Sequence, residues 1–381
     1  MKEIPNVVLL VETSREFGRS FMYGIARYSR NHGPWAFYKE AGGLNRSLPH
    51  FQKAEVDGII MRNPKKYTAL ISLNRPTVLV VHQESKESDF PRVITCGQTI
   101  GRMAAEHFLD RGFQYFGFCG FNDMFWSRER ERFFTVRLSE AGYTSHAYRQ
   151  SRYKTARAWE KEKVHLVDWI RSLPKPVGIL ACNDDRGQQV TEACKIAQVS
   201  VPDDVAILGV DNDVLVCDLS DPPLSSIALN TEAAGYDTAK LLDRLMAGEA
   251  MAGQRIVVEP THIVERQSTN ILAIGDTSVV RALRFIRENG DTLIQVNDVA
   301  DAAATSRRVL ERRFRRYVSR SINQEIKRVK IKRCIQLLVE TDLSISEIAA
   351  TMHFSSSAHI SRYFREEIGM SLMAYRQKLG K

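Results

Sequence analysis

What this sequence lacks narrows it first. It has no run of about 18 apolar residues, the length that reads as a membrane-spanning helix. Its opening stretch, MKEIPNVVLLVE, holds only a short apolar run closed by Glu12. That opening reads as a strand rather than a signal peptide, so the expected setting is the cytoplasm, with no membrane partner. Its six cysteines, Cys96, Cys119, Cys182, Cys194, Cys217 and Cys334, form no C-x-x-C pair and no His-bearing zinc spacing. They are expected as small buried hydrophobes in a reducing compartment, with no metal site. The phosphate loop G-x-x-x-x-G-K-[ST], the G-x-S-x-G elbow, H-E-x-x-H and the dinucleotide fingerprint are absent as well, which argues against an enzyme and against a cofactor. No coiled-coil heptad marks an oligomer.

What is present is a charge imbalance confined to one end. The 381 residues carry a net charge of +9. From Arg281 onward there are 20 Lys/Arg against 11 Asp/Glu, and before it 34 against 34. All the excess positive charge therefore lies in the last hundred residues, the electrostatic footprint of phosphate binding. The length suits two or three domains, and a hydrophobic content of 44% is ample for a packed core in each.

Within the basic end, two similar patterns follow one another. The first, VNDVADAAATSRRVLERRF, runs from Val296 to Phe314, and the second, ISEIAATMHFSSSAHISRYF, from Ile345 to Phe364. Each has a short helix with Val299-Ala300 or Ile348-Ala349, a turn of small residues, and a second helix. That second helix starts at a hydroxyl N-cap, Ser306 or Ser355/Ser356, and buries Leu310 and Phe314, or Ile360 and Phe364, at i, i+4 spacing. This is the requirement of a helix-turn-helix: alanines allow a close crossing, the apolar pair anchors the second helix, and its other face is left for a major groove. At 100° per residue, Arg308, Glu311 and Arg312 project outward from the first such helix, flanked by Arg307 and Arg315. In the second, Ser357, Ala358, Ser361 and Arg362 take the outward places, with His359 and Arg365 beside them. Arginine grips guanine bidentately whereas serine reads less selectively, so the first helix is expected to be the stronger reader. Read alone, the run ERRFRR is also what a solvated basic helix face looks like; its repetition as a unit favours DNA.

Before residue 271 the chain alternates strand and helix. Apolar strands are expected at Val7–Val11, Trp35–Tyr38, Gly58–Met61, Val78–Val81, Tyr115–Cys119, Val177–Cys182 and Val205–Val210, with amphipathic helices between, such as Phe17, Phe21, Ile25 and Tyr28 on one face. Continuous apolar strands mean parallel sheets covered on both faces, and this length fits two α/β lobes around a cleft. Ligands bind beyond the carboxyl ends of such strands. Those ends offer Glu12 and Arg19; Trp126 and Arg130; Asn183 and Asp184; and Asp211 and Asn212. Carboxylates and amides that exchange hydrogen bonds with hydroxyls, arginines that donate, and an indole that can cover a C–H face suit a neutral sugar. Each residue also has a structural reading: Asp184 and Asp185 as helix caps, Asp211–Asp213 as a turn, Trp126 as core.

The tandem units, the connecting helix around Ile326–Leu338, and the ends SRSINQEI and GMSLMAYR resemble the DNA-binding domain of AraC/XylS-type transcription regulators. Where that family often has Gly-x-Ser-Pro, this chain has Ser319-Arg320-Ser321-Ile322 and Gly369-Met370-Ser371-Leu372, and His353 stands where glycine is usual, which implies either a less tight loop or a left-handed residue there. LACNDDRGQQV, VPDDVAILGVDND, LSSIALNTEAAGYDTAKLLDRLMAG and RIVVEPTHIVERQST resemble the sugar-binding domain of LacI/GalR-type repressors, itself similar to periplasmic sugar-binding proteins. That domain followed by an AraC-type domain is the order found in xylose-operon activators. The resemblance implies an effector domain over 1–271, a linker over 272–278 and a DNA-binding domain over 279–381, with helix-turn-helix units near 296–317 and 345–367. It implies a sugar effector, xylose or a relative; promoter half-sites as the DNA; a homodimer; activation, with RNA polymerase as a partner; and Asn183, Asp184, Asp211 and Arg130 at sugar-holding positions, with Glu12 and Arg19 as weaker correspondences. Two alternatives are set against it: an architectural DNA-binding protein without a small-molecule effector, and an enzyme using the cleft carboxylates on a sugar.

Overall fold

In the computed structural model of the chain, the described residues are 4–39, 56–62, 72–80, 90–150, 156–250, 253–318 and 320–379. Val81 and Ser319, named above, lie outside them. The first lobe opens with β1 (Asn6–Leu10), α1 (Glu16–His32), β2 (Ala36–Lys39), β3 (Gly58–Arg62), β4 (Thr77–Val80) and β5 (Arg92–Thr95). The chain then crosses into a second lobe built from α2 (Gly97–Leu109), β6 (Tyr115–Phe121), α3 (Phe125–Glu140), β7 (Ser145–Gln150), α4 (Ala156–Ser172), β8 (Val177–Ala181), α5 (Asp184–Ala197), β9 (Val205–Val210), α6 (Val214–Leu219) and β10 (Ser225–Leu229). It returns to the first lobe for α7 (Thr231–Met246) and β11 (Arg255–Val258), and crosses once more into β12 (Pro260–Val264).

Each lobe is a six-stranded sheet, ordered β11-β5-β4-β3-β1-β2 and β12-β10-β9-β8-β6-β7. Among the described residues only the β10–β12 pair is antiparallel. The expected strands are all present, within about two residues at their ends. Five were not expected, β5, β7, β10, β11 and β12. Three lie at sheet edges, where one side meets solvent and the apolar run is broken: β7 reads SHAYRQ and is largely exposed. β10 is interior but opens with the buried hydroxyls Ser225 and Ser226, which read as polar in sequence.

The lobes meet at three crossings that bond to one another. Cys96 N–H donates to the Val258 carbonyl at 2.9 Å, Asn230 N–H to the Glu259 carbonyl at 3.0 Å, and Glu259 N–H to Asn230 Oδ1 at 2.7 Å. On the first lobe α1 and α7 touch backbone to backbone through glycines: a Cβ on Gly24 would stand 1.9 Å from the Glu232 carbonyl oxygen, and one on Gly235 2.0 Å from that of Phe21.

The C-terminal part is all helical: α8 (Thr277–Glu288), α9 (Val296–Ala302), α10 (Arg307–Val318), α11 (Ile322–Glu340), α12 (Ile345–Thr351), α13 (Ser357–Ile368) and α14 (Leu372–Leu379). Its starts are written in side chains. Asp276 accepts from the Ser278 and Val279 N–H groups, Ser321 and Ser344 form capping boxes with Gln324 and Glu347, and Ser356 accepts from His359 N–H. Two apolar clusters form. One gathers Leu283, Val299, Leu310 and Phe314, the other Ile348, Met352, Ile360 and Phe364, and α11 runs between them. No helix among the described residues is long and apolar enough to cross a membrane.

Candidate effector cleft and DNA-binding surface

The cleft is centred on Arg130. α3 leaves β6 through a short turn, and the backbone at Arg130 is pressed against α2, where a Cβ on Gly101 would approach the Arg130 carbonyl oxygen to 2.7 Å. The Arg130 side chain is 2% exposed. It donates through Nη1 to the Cys182 carbonyl at the end of β8 and through Nη2 to Asp211 Oδ1 at 3.3 Å at the end of β9. Its guanidinium lies 4.9 Å from the centre of the Trp126 ring, so indole, guanidinium and carboxylate form one continuous surface. Asp211 has φ 104 and Asn212 φ 50. Two successive non-glycine residues in the left-handed region mark a strained turn, a feature that collects at ligand sites. Burial raises the Asp211 carboxyl above its ordinary value, against the opposing pull of Arg130 and of Arg62 at the end of β3.

The remaining residues divide by what they already hold. Asn183 caps α5, accepting from Arg186 N–H at 3.1 Å. Asp184 is 3% exposed; its two oxygens accept from the Ser226 hydroxyl at 2.5 Å and from Asp213 N–H at 2.7 Å. Burial, with Asp211 nearby, pushes its carboxyl well up. The cap thus falls to Asn183 rather than to Asp184 or Asp185. Asn212 Oδ1 accepts from Arg266 at 3.1 Å. Glu12 is exposed at the mouth of the cleft.

Arg19 reaches across the cleft. It donates to Asp213 of the second lobe at 3.1 Å, and Asp213 also accepts from the Glu16 N–H at the start of α1, at 2.8 Å. Arg15 pairs with Asp185 beside them at 2.8 Å. Arg15, at the N-cap of α1, and Arg19 of α1 therefore meet two carboxylates of the second lobe, and these ion pairs bridge the lobes.

On the helical part the two units superpose in detail. Ala304 has φ 50 and His353 φ 54, the left-handed residue at His353 having a counterpart in the first turn. The hydrogen bonds match: Ala304 N–H to Asp301 and His353 N–H to Ala350, then Thr305 N–H to Ala300 and Phe354 N–H to Ala349. Arg307, Arg308, Arg312 and Arg315 of α10 are exposed, as are Ser357, Arg362 and Arg365 of α13. Arg307 is paired with Glu311 at 2.9 Å. His359 meets the Ser355 hydroxyl at 3.0 Å and Phe354 edge-on, and Ser361 donates to the Ser357 carbonyl. The α10 face is a row of arginines and the α13 face is a mixed one with fewer cations.

Known proteins can now be set beside this geometry. Residues 105–269 match the model of a periplasmic binding protein-like domain, and residues 299–378 that of a helix-turn-helix domain. The xylose operon regulatory protein of Haemophilus influenzae is 30% identical over 380 residues, covering 97% of each chain. The chain belongs to the xylose operon regulatory protein family. The Escherichia coli K12 relative is 29% identical, covering 97% of this chain and 96% of its own. A solved structure of the xylose-binding transcription activator XylR aligns with a TM-score of 0.62 at 26% identity, over 100% of both chains. A LacI-type regulator from Bacillus cereus aligns over 70% of this chain with a TM-score of 0.57 at 21% identity, a likeness of fold.

Two groups of the regulator's cleft escaped the sequence reading. Arg62 ends β3 over the Phe17 ring, 5.5 Å from its centre, a place the rule of strand ends would have flagged. Arg266 holds Asn212 from a segment beyond β12, and no local pattern announces it. The regulator is a DNA-binding transcription factor, as its full-length relatives are, and not an enzyme.

Proposed function

We propose that this regulator is a sugar-responsive transcription activator whose effector is xylose or a related pentose, acting in the cytoplasm as a homodimer on paired promoter half-sites and engaging RNA polymerase there. The observation that carries this reading is one polar, indole-lined cleft and two helix-turn-helix units in a single chain whose full-length relatives are named for the xylose operon. We assign the effector domain to 1–271, the linker to 272–278 and the DNA-binding domain to 279–381. In the cleft, Asp211 and Arg130 hold sugar hydroxyls and Trp126 covers a C–H face. Glu12 and Asn212 border the ring, while Asn183, Asp184 and Arg19 set the walls. On DNA, Arg308, Arg312 and Arg315 lead, with Arg307 and Glu311 as an oriented pair; Ser357, His359, Ser361, Arg362 and Arg365 form the second, weaker reader.

Coupling follows from where the crossings lead. α2 begins one residue beyond the β5 crossing, and its end carries Asp110, which accepts from Arg320 at 2.7 Å and from Arg328. β12 begins just beyond the β11 crossing, and its His262 meets Glu340 at 2.7 Å. Closure of the lobes rotates exactly those two elements, so a ligand that favours the closed form repositions the DNA-binding part. A hundredfold preference for that form supplies about 2.7 kcal/mol. The test is a thermal-shift screen over pentoses, hexoses, uronates and polyols, followed by DNA binding with and without the sugar that stabilises. A saturating shift with a pentose and altered affinity or half-site spacing are expected. Unchanged DNA binding at saturating sugar rules the coupling out, and no shift with any sugar removes the effector.

A further inference from the structure

A second cavity lies far from the cleft, at the seam between the effector and DNA-binding parts. About 820 Å³ in volume, it is walled by α2, β12, α8 and α11. Its apolar surface comes from Met103, Ile263, Val264, Val329, Ile335 and Tyr375. Its polar surface carries cations and carboxylates in near balance. Arg111, 1% exposed, pairs with Glu265 at 2.7 Å and donates to the Thr269 carbonyl and to His107 Nδ1 at 3.1 Å. A guanidinium can only donate, so Nδ1 is the acceptor and the proton sits on Nε2. That Nε2–H is buried and has no hydrogen-bond partner, in a side chain 1% exposed.

Around it stand two more cations. Among the described residues Arg287 and Lys332 form no ion pair or hydrogen bond, and Arg287 Nη2 is a buried, unpartnered donor. Arg328, also on the wall, is already held by Asp110 and Glu325. Glu265 pairs with Arg111 and acts on Arg287 and Lys332 as well, with Glu325 also acting on Arg287 and Asp110 on Lys332. The groups register this. Burial and Arg111 bring the Arg287 guanidinium down to about 10. Burial acts to raise Glu265, yet Arg111, His107, Lys332 and Arg287 hold it well below the usual carboxylate range. Lys332 is exposed beside the cavity, whereas the Arg287 Nη2 and His107 Nε2 donors are buried without a partner; unpaired buried donors are costly, and a cavity of this size accepts a small metabolite.

We propose that this seam is a second effector site, taking a small organic dianion, a phosphate monoester or a dicarboxylate, with its charge on Lys332, Arg287 and the His107 Nε2–H and its body on the apolar wall. Two buried unpartnered donors, the His107 Nε2–H and Arg287 Nη2, with the Lys332 ammonium beside them, favour an anion over a neutral sugar. Because α2 and β12 belong to one part and α8 and α11 to the other, such a ligand braces the two together.

The test is calorimetric titration of the full-length protein with inorganic phosphate, ribose 5-phosphate and succinate at matched ionic strength. Each titration is repeated on Lys332→Met, Arg287→Met and Lys332→Arg. Saturable binding of at least one dianion is expected, weakened tenfold or more in Lys332→Met and in Arg287→Met and kept within a few-fold in Lys332→Arg. The ligand-free melting temperatures of the two methionine variants should equal or exceed that of the parent, because like-charge crowding is relieved. Ribose 5-phosphate binding with inert succinate identifies the monoester; the converse identifies the dicarboxylate. No saturable dianion binding, or binding that Lys332→Met leaves unchanged, overturns the proposal. A neutral pentose titrated in parallel reports on the cleft, so either site can fail without the other.

Discussion

Asp211 is the residue on which the cleft turns, since it combines a left-handed backbone, a raised carboxyl and a bond to the buried Arg130. Asp211→Asn keeps the shape and removes the charge. It is expected to cost about 1.5–3 kcal/mol of effector affinity, the worth of a charged hydrogen bond, with ligand-free DNA affinity unchanged; calorimetry against a stabilising sugar and a gel-shift titration check the two halves. His107 offers a pH test at the same scale. Burial first, then Arg111, hold its imidazole well below its ordinary value of 6.5. Lys332 and Arg287 act in the same direction and Glu265 against it. A base whose folded pKa is depressed stays neutral in the native state while the unfolded chain takes up a proton. Its contribution is therefore complete above about 6.5 and is lost as pH falls below that value. Urea melts at pH 7 and pH 5.5 should show a loss of stability on acidification that His107→Gln reduces. An equal loss in both proteins would place the sensitivity elsewhere.

At the scale of elements, the two helix-turn-helix units share a turn geometry that their sequences do not favour. A left-handed non-glycine residue costs about 1–2 kcal/mol, and glycine avoids that strain at the expense of greater unfolded-state freedom. His353→Gly and Ala304→Gly are each expected to stabilise the domain by about 0.5–1 kcal/mol, read as a higher denaturation midpoint at constant slope. The reading helices differ in kind. Among the described residues Arg308, Arg312 and Arg315 of α10 form no ion pair or hydrogen bond through their side chains, whereas His359 is engaged by Ser355 of its turn and Ser361 by Ser357 of its own helix. Arg312→Ala should weaken operator binding by about 1–3 kcal/mol and relax preference at one base pair. The same loss on random DNA would identify a phosphate contact. Strand ends follow a related logic. Asn183 and Asp184 look alike in sequence as hydroxyl acceptors, but one caps α5 and the other ties β10 to the turn after β9, because their backbone positions put unsatisfied N–H groups within reach.

Across the whole molecule, the route from cleft to DNA runs through charged contacts at the ends of α2 and β12. Asp110 is 11% exposed and accepts from both Arg320 and Arg328, which Glu325 also holds. In Asp110→Asn, Glu325 keeps both arginines folded while the charge linking them to α2 is gone. The effector-induced change in DNA affinity should shrink at least fivefold, a coupling loss of about 1 kcal/mol, with effector affinity itself intact. Fluorescence-anisotropy DNA titrations at zero and saturating effector measure this, and an undiminished ratio would move the coupling to another contact.

The sequence by itself determined the parts. Continuous apolar strands and 3.6-residue periodicity specify two α/β lobes and a helical domain, because burial depends on local pattern. The repeated Val-Ala and Ile-Ala units with their downstream apolar pairs specify tandem helix-turn-helices, because an i, i+4 contact is contained within one helix. At His353 the resemblance left two geometries open, a looser turn or a left-handed residue, and the fold takes the second. Only the tertiary structure decided which polar groups meet. Arg19 and Asp213 are 194 residues apart, Arg328 and Asp110 218; Arg130 of α3 finds Asp211 beyond β9; and the cations of the seam come from α8, α11 and the turn after α2. Their partners are set by how finished sheets and helices pack, and no periodicity along the chain encodes a distance between its folded surfaces.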